Sequence, residues 1–221
     1  MKKIKAVLFD MDGLLVDSER LGIYVSIQAG REMGFPVTEE LAREMLGITS
    51  AQSRAKYQAA FPSMDMDAFQ ALFMRHMESA VERGEVRAMP GARELLAFLR
   101  ARRMPCVVAS STDKQRVLKR LSCAGLEGLF DGYVTGDMVS RSKPDPEIFL
   151  RAAAYAGEDI ADCLVLEDSV NGIRAGRASG ARVVMVPNVI PYGDALAPYC
   201  DRVEKSLLDV KKLLEETDCV L

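Results

Sequence analysis

Asp10 and Asp12 stand two residues apart at the end of the apolar run IKAVLF (4–9), and Gly13 follows them. Carboxylates gain nothing by ending a core strand, because burying an unpaired charge is costly. Two of them at one mouth, with a glycine to turn the chain away, point to a pair that does chemistry. Three more strand-like runs end in polar groups. PCVVAS (105–110) reaches Ser110, Ser111 and Thr112, and CLVLE (163–167) ends in Glu167 and Asp168. The weaker GYVTG (132–136) is followed a few residues on by SKPDP, which carries Lys143. Brought together, these ends collect four carboxylates, a hydroxyl pair and one lysine. Four carboxylates so close repel unless a cation neutralises them, and an all-oxygen donor set suits Mg2+. A bound Mg2+ attracts phosphate oxygens, while Ser110, backbone N–H groups and Lys143 can hold the rest of that phosphate. An aspartate within reach of phosphorus can attack it and form an acyl phosphate. A second acid two residues on can protonate the leaving alcohol and then deprotonate water.

The elements that must position these residues follow from the apolar pattern. The runs 4–9, 105–110, 163–167 and 182–186, with 132–136 as a weaker fifth, are rich in Val, Leu and Ile and do not alternate with polar residues. Strands covered on both faces by helices read this way. Helical patterns lie between them. Leu95, Leu96, Phe98 and Leu99 form one stripe, and Val117, Leu118 and Leu121 another, which stops at Gly125. In KPDPEIFLRAAAYAG (143–157), Asp145 is the expected N-cap, Pro146 the first helical residue and Gly157 the terminator. Ser110 is a further N-cap expectation. LLDVKKLLEE (207–216) closes the chain as an amphipathic helix. Alternation of strands and helices predicts an α/β fold with a doubly wound parallel sheet, whose ligands bind at the carboxyl ends of the strands.

Residues 15–85 break the alternation. They hold no convincing strand and read as helices over roughly 17–33, 38–45, 50–60 and 66–83. This predicts a small helical domain, 15–85, inserted after the first strand into an α/β core of residues 1–14 and 86–221, with Gly13 and Gly84 as hinges.

Composition narrows the function classes. The net charge of −3 lacks the basic excess of a nucleic-acid-binding face. No apolar run approaches the ~20 residues of a membrane span. The opening MKKIKAVLFD ends in acids rather than in a small-residue cleavage site, unlike a secretory signal. Five cysteines without a CxxC, and His76 as the one histidine, predict reduced thiols in a cytoplasmic protein and no zinc site. His76 itself reads as a surface residue of the helical insertion.

With these motifs in hand, the sequence resembles the haloacid dehalogenase-like (HAD) phosphohydrolases, in particular the β-phosphoglucomutase-like branch with a helical cap. The likeness runs over essentially the whole chain through FDMDGLLVDSE, VVASS, SKPDPEIF and LVLEDSVNGIRAG, in that order. It implies Asp10 as nucleophile and Asp12 as general acid/base, with the Asp12 backbone carbonyl on Mg2+. It implies Ser110 and Lys143 on the transferring phosphoryl group, Asp168 as a metal ligand, and Glu167 as ligand or one shell further out. Ser111 and Asn171 would make secondary contacts. The implied substrate is a small phosphorylated metabolite, a sugar phosphate or nucleoside monophosphate, and the implied chain is a monomer.

The sequence departs from the mutase pattern of that branch. Where mutases carry an arginine in a stretch resembling Gly-Val-Ser-Arg, this chain has GITSAQSR, with Ser50 at that place and Arg54 four residues on. Where they carry a histidine in the first cap helix, Gly22 stands here. Both departures favour hydrolysis over a sugar-phosphate mutase. A phospho-acceptor receiver switch uses similar residues on a single layer of about 100–150 residues, without an insertion after the first strand.

Overall fold

The computed structural model describes residues 3–220; residues 1, 2 and 221 of the expected core lie outside that range. Six parallel strands form one sheet in the order β3-β2-β1-β4-β5-β6. They are β1 (Ala6–Phe9), β2 (Cys106–Ser110), β3 (Gly132–Thr135), β4 (Cys163–Glu167), β5 (Arg182–Met185) and β6 (Arg202–Val203). Central β1 pairs with β2 on one side and β4 on the other. The absence of polar alternation has a direct cause: both faces are covered. Val7 and Phe9 pack on one side of the sheet against α5 (Ala92–Ala101), α6 (Lys114–Cys123) and α9 (Leu207–Glu216). Ala6 and Leu8 pack on the other against α7 (Glu147–Ala156) and α8 (Val170–Ser179). The expected five strands are present, trimmed by up to two residues. β6 carried no signal, being two exposed residues at the sheet edge.

Two expected caps differ. α7 begins at Glu147 with Pro146 as its N-cap, one residue later than expected, and Asp145 still serves it by accepting from the Glu147 N–H at 3.0 Å. Ser110 does not cap α6; Asp113 does, accepting from the Arg116 N–H, while the Ser110 hydroxyl accepts from the Thr112 N–H at 3.1 Å.

Between β1 and α5 lie α1 (Glu19–Glu32), α2 (Glu39–Arg43), α3 (Ser50–Ala60) and α4 (Met66–Glu82). All four match the expected spans to within two residues at each end. α2 is shorter, because after Arg43 the chain tightens: the Met45 and Leu46 N–H groups bond three residues back, to Ala42 and Arg43. These helices have an apolar cluster of their own, including Ile23, Tyr57, Met64 and Phe69. His76 is half-buried, with Nε2 2.8 Å from Glu32. The two connections to the sheet run side by side. The Asp17 N–H bonds to the Arg87 carbonyl at 2.9 Å, and the Met89 N–H to the Leu15 carbonyl at 2.8 Å. Among the described residues no helix is long and apolar enough to cross a membrane.

Candidate active site

The carboxyl ends of β1, β2 and β4 and the loop before α7 meet above the sheet. A cavity of about 290 Å³ opens there, lined by Asp10, Asp12, Ser110, Ser111, Lys143 and Asn171 from the sheet side. Glu19, at the start of α1, and the Gly47–Ser50 loop before α3 complete it. Glu167 and Asp168 lie beside this lining, both fully buried. Gly13 lets the chain leave β1 at φ +86°; a Cβ there would fall 2.1 Å from Asp168 Oδ2. No other residue type fits that turn.

Lys143 is the hub. Its buried ammonium donates to Asp10 Oδ1 (2.5 Å), Glu167 Oε1 (2.7 Å) and the Ala109 carbonyl (2.9 Å), which uses all three protons. Burial alone would lower its pKa, but the Asp10 and Glu167 carboxylates outweigh that and hold it above the ordinary lysine value. The other Glu167 oxygen accepts from the Asp168 N–H, the Ser169 N–H and the Ser169 hydroxyl, each at 2.9 Å. Glu167 is therefore occupied on both oxygens. Where Gly172 stands, a Cβ would lie 1.7 Å from Glu167 Oε1, so α8 can approach this carboxylate only with a glycine.

Asp12 is held differently. One of its oxygens accepts from the Ser18 hydroxyl (2.6 Å) and from Arg120 Nη1 (2.5 Å), the other from the Thr112 hydroxyl (2.8 Å). Burial pushes its pKa up, yet Arg120 and the two hydroxyls overcome that and leave it below the ordinary value. Ser18 is the N-cap residue of α1 but makes no cap bond; its hydroxyl is given to Asp12 instead.

The rest of the cluster has too much negative charge. Asp10, Glu19, Glu167 and Asp168 share a single ammonium. Both Asp168 oxygens are buried without a hydrogen-bond donor, unless Glu19 carries a proton. Burial, and then the surrounding carboxylates, push Asp168 well above its ordinary pKa. Glu19 is raised to about 7, chiefly by burial. One oxygen each of Asp10, Glu167 and Asp168 come within 4.8 Å of one another. A hard cation fits this set. It would satisfy the orphaned Asp168 oxygens and remove the charge excess.

Asn171 is placed at the cavity, but its amide donates to the Gly47 carbonyl at 2.8 Å. It ties the loop of the helical segment to the start of α8. Arg120, Ser18 and Glu19 are residues sequence reasoning missed. Arg120 was readable in principle, because it stands three residues from Val117 and next to Leu121 on the buried side of α6. Glu19 looked like an ordinary acid in a first helical turn, where the helix dipole favours one.

This geometry can be set beside known proteins. A model of the haloacid dehalogenase-like hydrolases matches residues 7–186. The chain belongs to that family. Its matched span includes every residue of the strand-end cluster. Among curated members, a "phosphorylated carbohydrates phosphatase" from Thermotoga maritima is 32% identical over 195 residues, 87% of this chain and 90% of that protein. A "probable pseudouridine-5'-phosphatase" from Drosophila melanogaster is 32% identical over 85% of this chain and 84% of its own length. A family hydrolase from Deinococcus radiodurans, solved with bound phosphate and sodium, superposes with a TM-score of 0.83 at 30% identity, covering 99% of this chain and 98% of that one.

Proposed function

We propose that this hydrolase is a Mg2+-dependent phosphatase of small phosphomonoesters that works through an aspartyl phosphate on Asp10. One observation carries the reading: Lys143 binds the Asp10 carboxylate directly, next to an Asp168 whose two buried oxygens have no donor. A nucleophile, a cation to meet the phosphoryl oxygens and a carboxylate suited to a metal ion thus stand together. The names of the relatives, one acting on phosphorylated carbohydrates and one on pseudouridine 5′-phosphate, support a phosphomonoester substrate.

In this reading an Asp10 oxygen attacks phosphorus while the bond to the leaving alcohol breaks. Lys143, on releasing one of its three present acceptors, and the Ser110 hydroxyl would hold the phosphoryl oxygens. Asp10, Asp168 and the Asp12 backbone carbonyl would hold Mg2+, which supplies positive charge to the phosphoryl group. Glu167, already bonded on both oxygens, serves by aiming Lys143. Asp12 handles the proton. Arg120, Ser18 and Thr112 keep it as a carboxylate, the form that takes a proton from the attacking water. To protonate the leaving alkoxide it must first part from those three donors and take up a proton from solvent or from the phosphate monoanion of the substrate, which it then passes to the alkoxide as the ester bond breaks. The helical segment acts as a cap that closes over the mouth and excludes competing water. The phosphatase is favoured over a mutase because neither Gly22 nor Ser50 offers a cation for a second phosphate, and Arg54 is paired with Asp67 at 2.6 Å.

The test is Mg2+-dependent phosphate release from sugar phosphates and nucleoside monophosphates. Release is expected from one group of esters. Asp10→Asn should lower it at least a thousandfold with an unchanged circular-dichroism spectrum. Near-normal turnover by Asp10→Asn would remove Asp10 as nucleophile.

A further inference from the structure

Helix α4 of the helical segment packs beside α6 of the sheet layer, and along part of their length the two face each other across a cavity of about 320 Å³. Met74, Met77, Glu78, Val81 and Glu82 line it from α4, and Arg116, Lys119, Arg120 and Cys123 from α6. Each set has the three- and four-residue spacing of a single helix face. Two such faces in direct contact interdigitate; along this stretch they leave space. The cavity is separate from the catalytic mouth, with which it shares no lining residue.

The two walls carry opposite charge around a shared apolar surface. Met77 is buried, and Met74, Val81 and Cys123 are partly so. The exposed Ser122 hydroxyl also borders the space. Arg116 is engaged by Asp113 at 2.8 Å and faces Glu78 at 3.9 Å. Lys119 and Glu82 have no ion-pair partner among the described residues and do not pair with each other across the gap. Arg120 gives one N–H to Asp12, and its remaining N–H groups make no hydrogen bond among the described residues. A ligand that suits both walls carries an anion for Lys119 and Arg120, a cation for Glu82, and an apolar body for the methionines, Val81 and Cys123. A free α-amino acid with an apolar side chain has all three. A sugar phosphate lacks the cation and the apolar body, and a fatty acid lacks the cation.

We propose that the space between α4 and α6 is an effector site for a free apolar α-amino acid of the leucine or phenylalanine type, and that the ligand, bridging the two helices, restrains the helical segment against the sheet layer. Turnover that needs this segment to move then slows. The ligand also grips the guanidinium that holds Asp12, so site and reaction meet at Arg120. The effect on rate rests on the phosphatase reading; the binding does not.

Calorimetry on the full chain measures L-leucine and L-phenylalanine beside their N-acetyl derivatives, which lack the ammonium, and their amides, which lack the carboxylate. At least one free amino acid should bind with a Kd of about 1 mM or tighter, and loss of either charge should weaken it about tenfold or more. Lys119→Met and Glu82→Gln, both at exposed positions, should each weaken it severalfold. In the phosphate-release assay the same amino acid should lower kcat and leave KM unchanged. No binding of either amino acid, derivatives that bind as tightly, or binding untouched by both variants overturns the proposal. Inhibition that raises KM alone would place the amino acid in the catalytic mouth and overturns it too. Binding that passes these tests while kcat stays unchanged overturns the restraint. A chain that binds as expected yet releases phosphate from no ester would sink the phosphatase and leave the site standing.

Discussion

The strand-end mouth and the helical cavity are built on opposite principles. At the mouth, Lys143, Glu167 and Asp12 have each polar atom matched to a partner, and Gly13 and Gly172 are there because a Cβ would strike a carboxylate. In the cavity of about 570 Å³ among the helices α1, α3 and α4, Tyr57 and Phe69 pack ring against ring with centroids 4.8 Å apart, the buried Tyr57 hydroxyl has no partner, and a Cβ at Gly22 would meet only ordinary contact. A preorganised polar network fixes the reaction by holding charge where it develops. A cavity whose polar groups are scattered and partly unpartnered fixes shape more than charge. The two join at few points, one of them the 2.8 Å bond from Asn171 to the Gly47 carbonyl.

The sharpest way to break this contrast is Lys143→Met. It leaves the buried Asp10 and Glu167 carboxylates without their cation and should cost about 3–5 kcal/mol in chemical denaturation near pH 7, along with nearly all activity. The loss should shrink toward pH 5 as Asp10, whose carboxyl burial pushes well above its ordinary pKa, takes up a proton. A loss below ~1 kcal/mol would mean the mouth is not the tightly coupled network described here.

A smaller effect concerns the charge excess. The folded Glu19 carboxyl titrates near 7 rather than at its ordinary 4.5. Between those values the folded, metal-free chain holds a proton that the unfolded chain has released. Stability of the metal-free protein therefore falls as pH rises through this window, by about 3 kcal/mol from Glu19 alone. Asp10 and Asp168, both shifted upward, act in the same direction. Mg2+ should offset the loss, so the rise in melting temperature on adding Mg2+ should be larger at pH 8 than at pH 5. Asp168→Ala should abolish most of that rise. A Mg2+ effect independent of pH would show that these carboxylates are not what the ion neutralises.

The smallest expected effect tests the other region. Gly22→Ala meets only ordinary contact at the end of the first turn of α1 and should stabilise by about 0.5 kcal/mol, read from the denaturation midpoint. Destabilisation would show that the backbone, rather than cavity space, demands the glycine.

The same contrast decides what could be read from sequence. Asp10, Ser110 and Asp168 were visible because each ends or follows an apolar run where a packed strand would not spend a polar residue; Lys143, in the polar stretch SKPDP, was visible through the motif order rather than through any apolar run. The sheet was visible because both its faces are buried. Arg120 and Ser18 were not singled out, since an arginine on an amphipathic helix and a serine before a helix both have commonplace roles; only the folded chain brings them onto Asp12. Asn171 was expected to make a secondary contact at the site; its amide reaches the Gly47 carbonyl, a contact 124 residues away in sequence that no local pattern encodes. The helical cavity was the least readable part. Phe69, Phe73 and Tyr57 have the spacing of plain core residues, and the space between them exists only in the assembled helices.

The paired connections between sheet and helices have one further consequence. Residues 15–17 and 87–89 leave and re-enter the sheet layer as neighbours, zipped by backbone bonds that read no side chain. Such a junction works as a plug and socket. A different set of helices can be spliced between the same two connectors without altering the register of β1 or the aim of Asp10, so selectivity can diverge while the reaction is inherited whole.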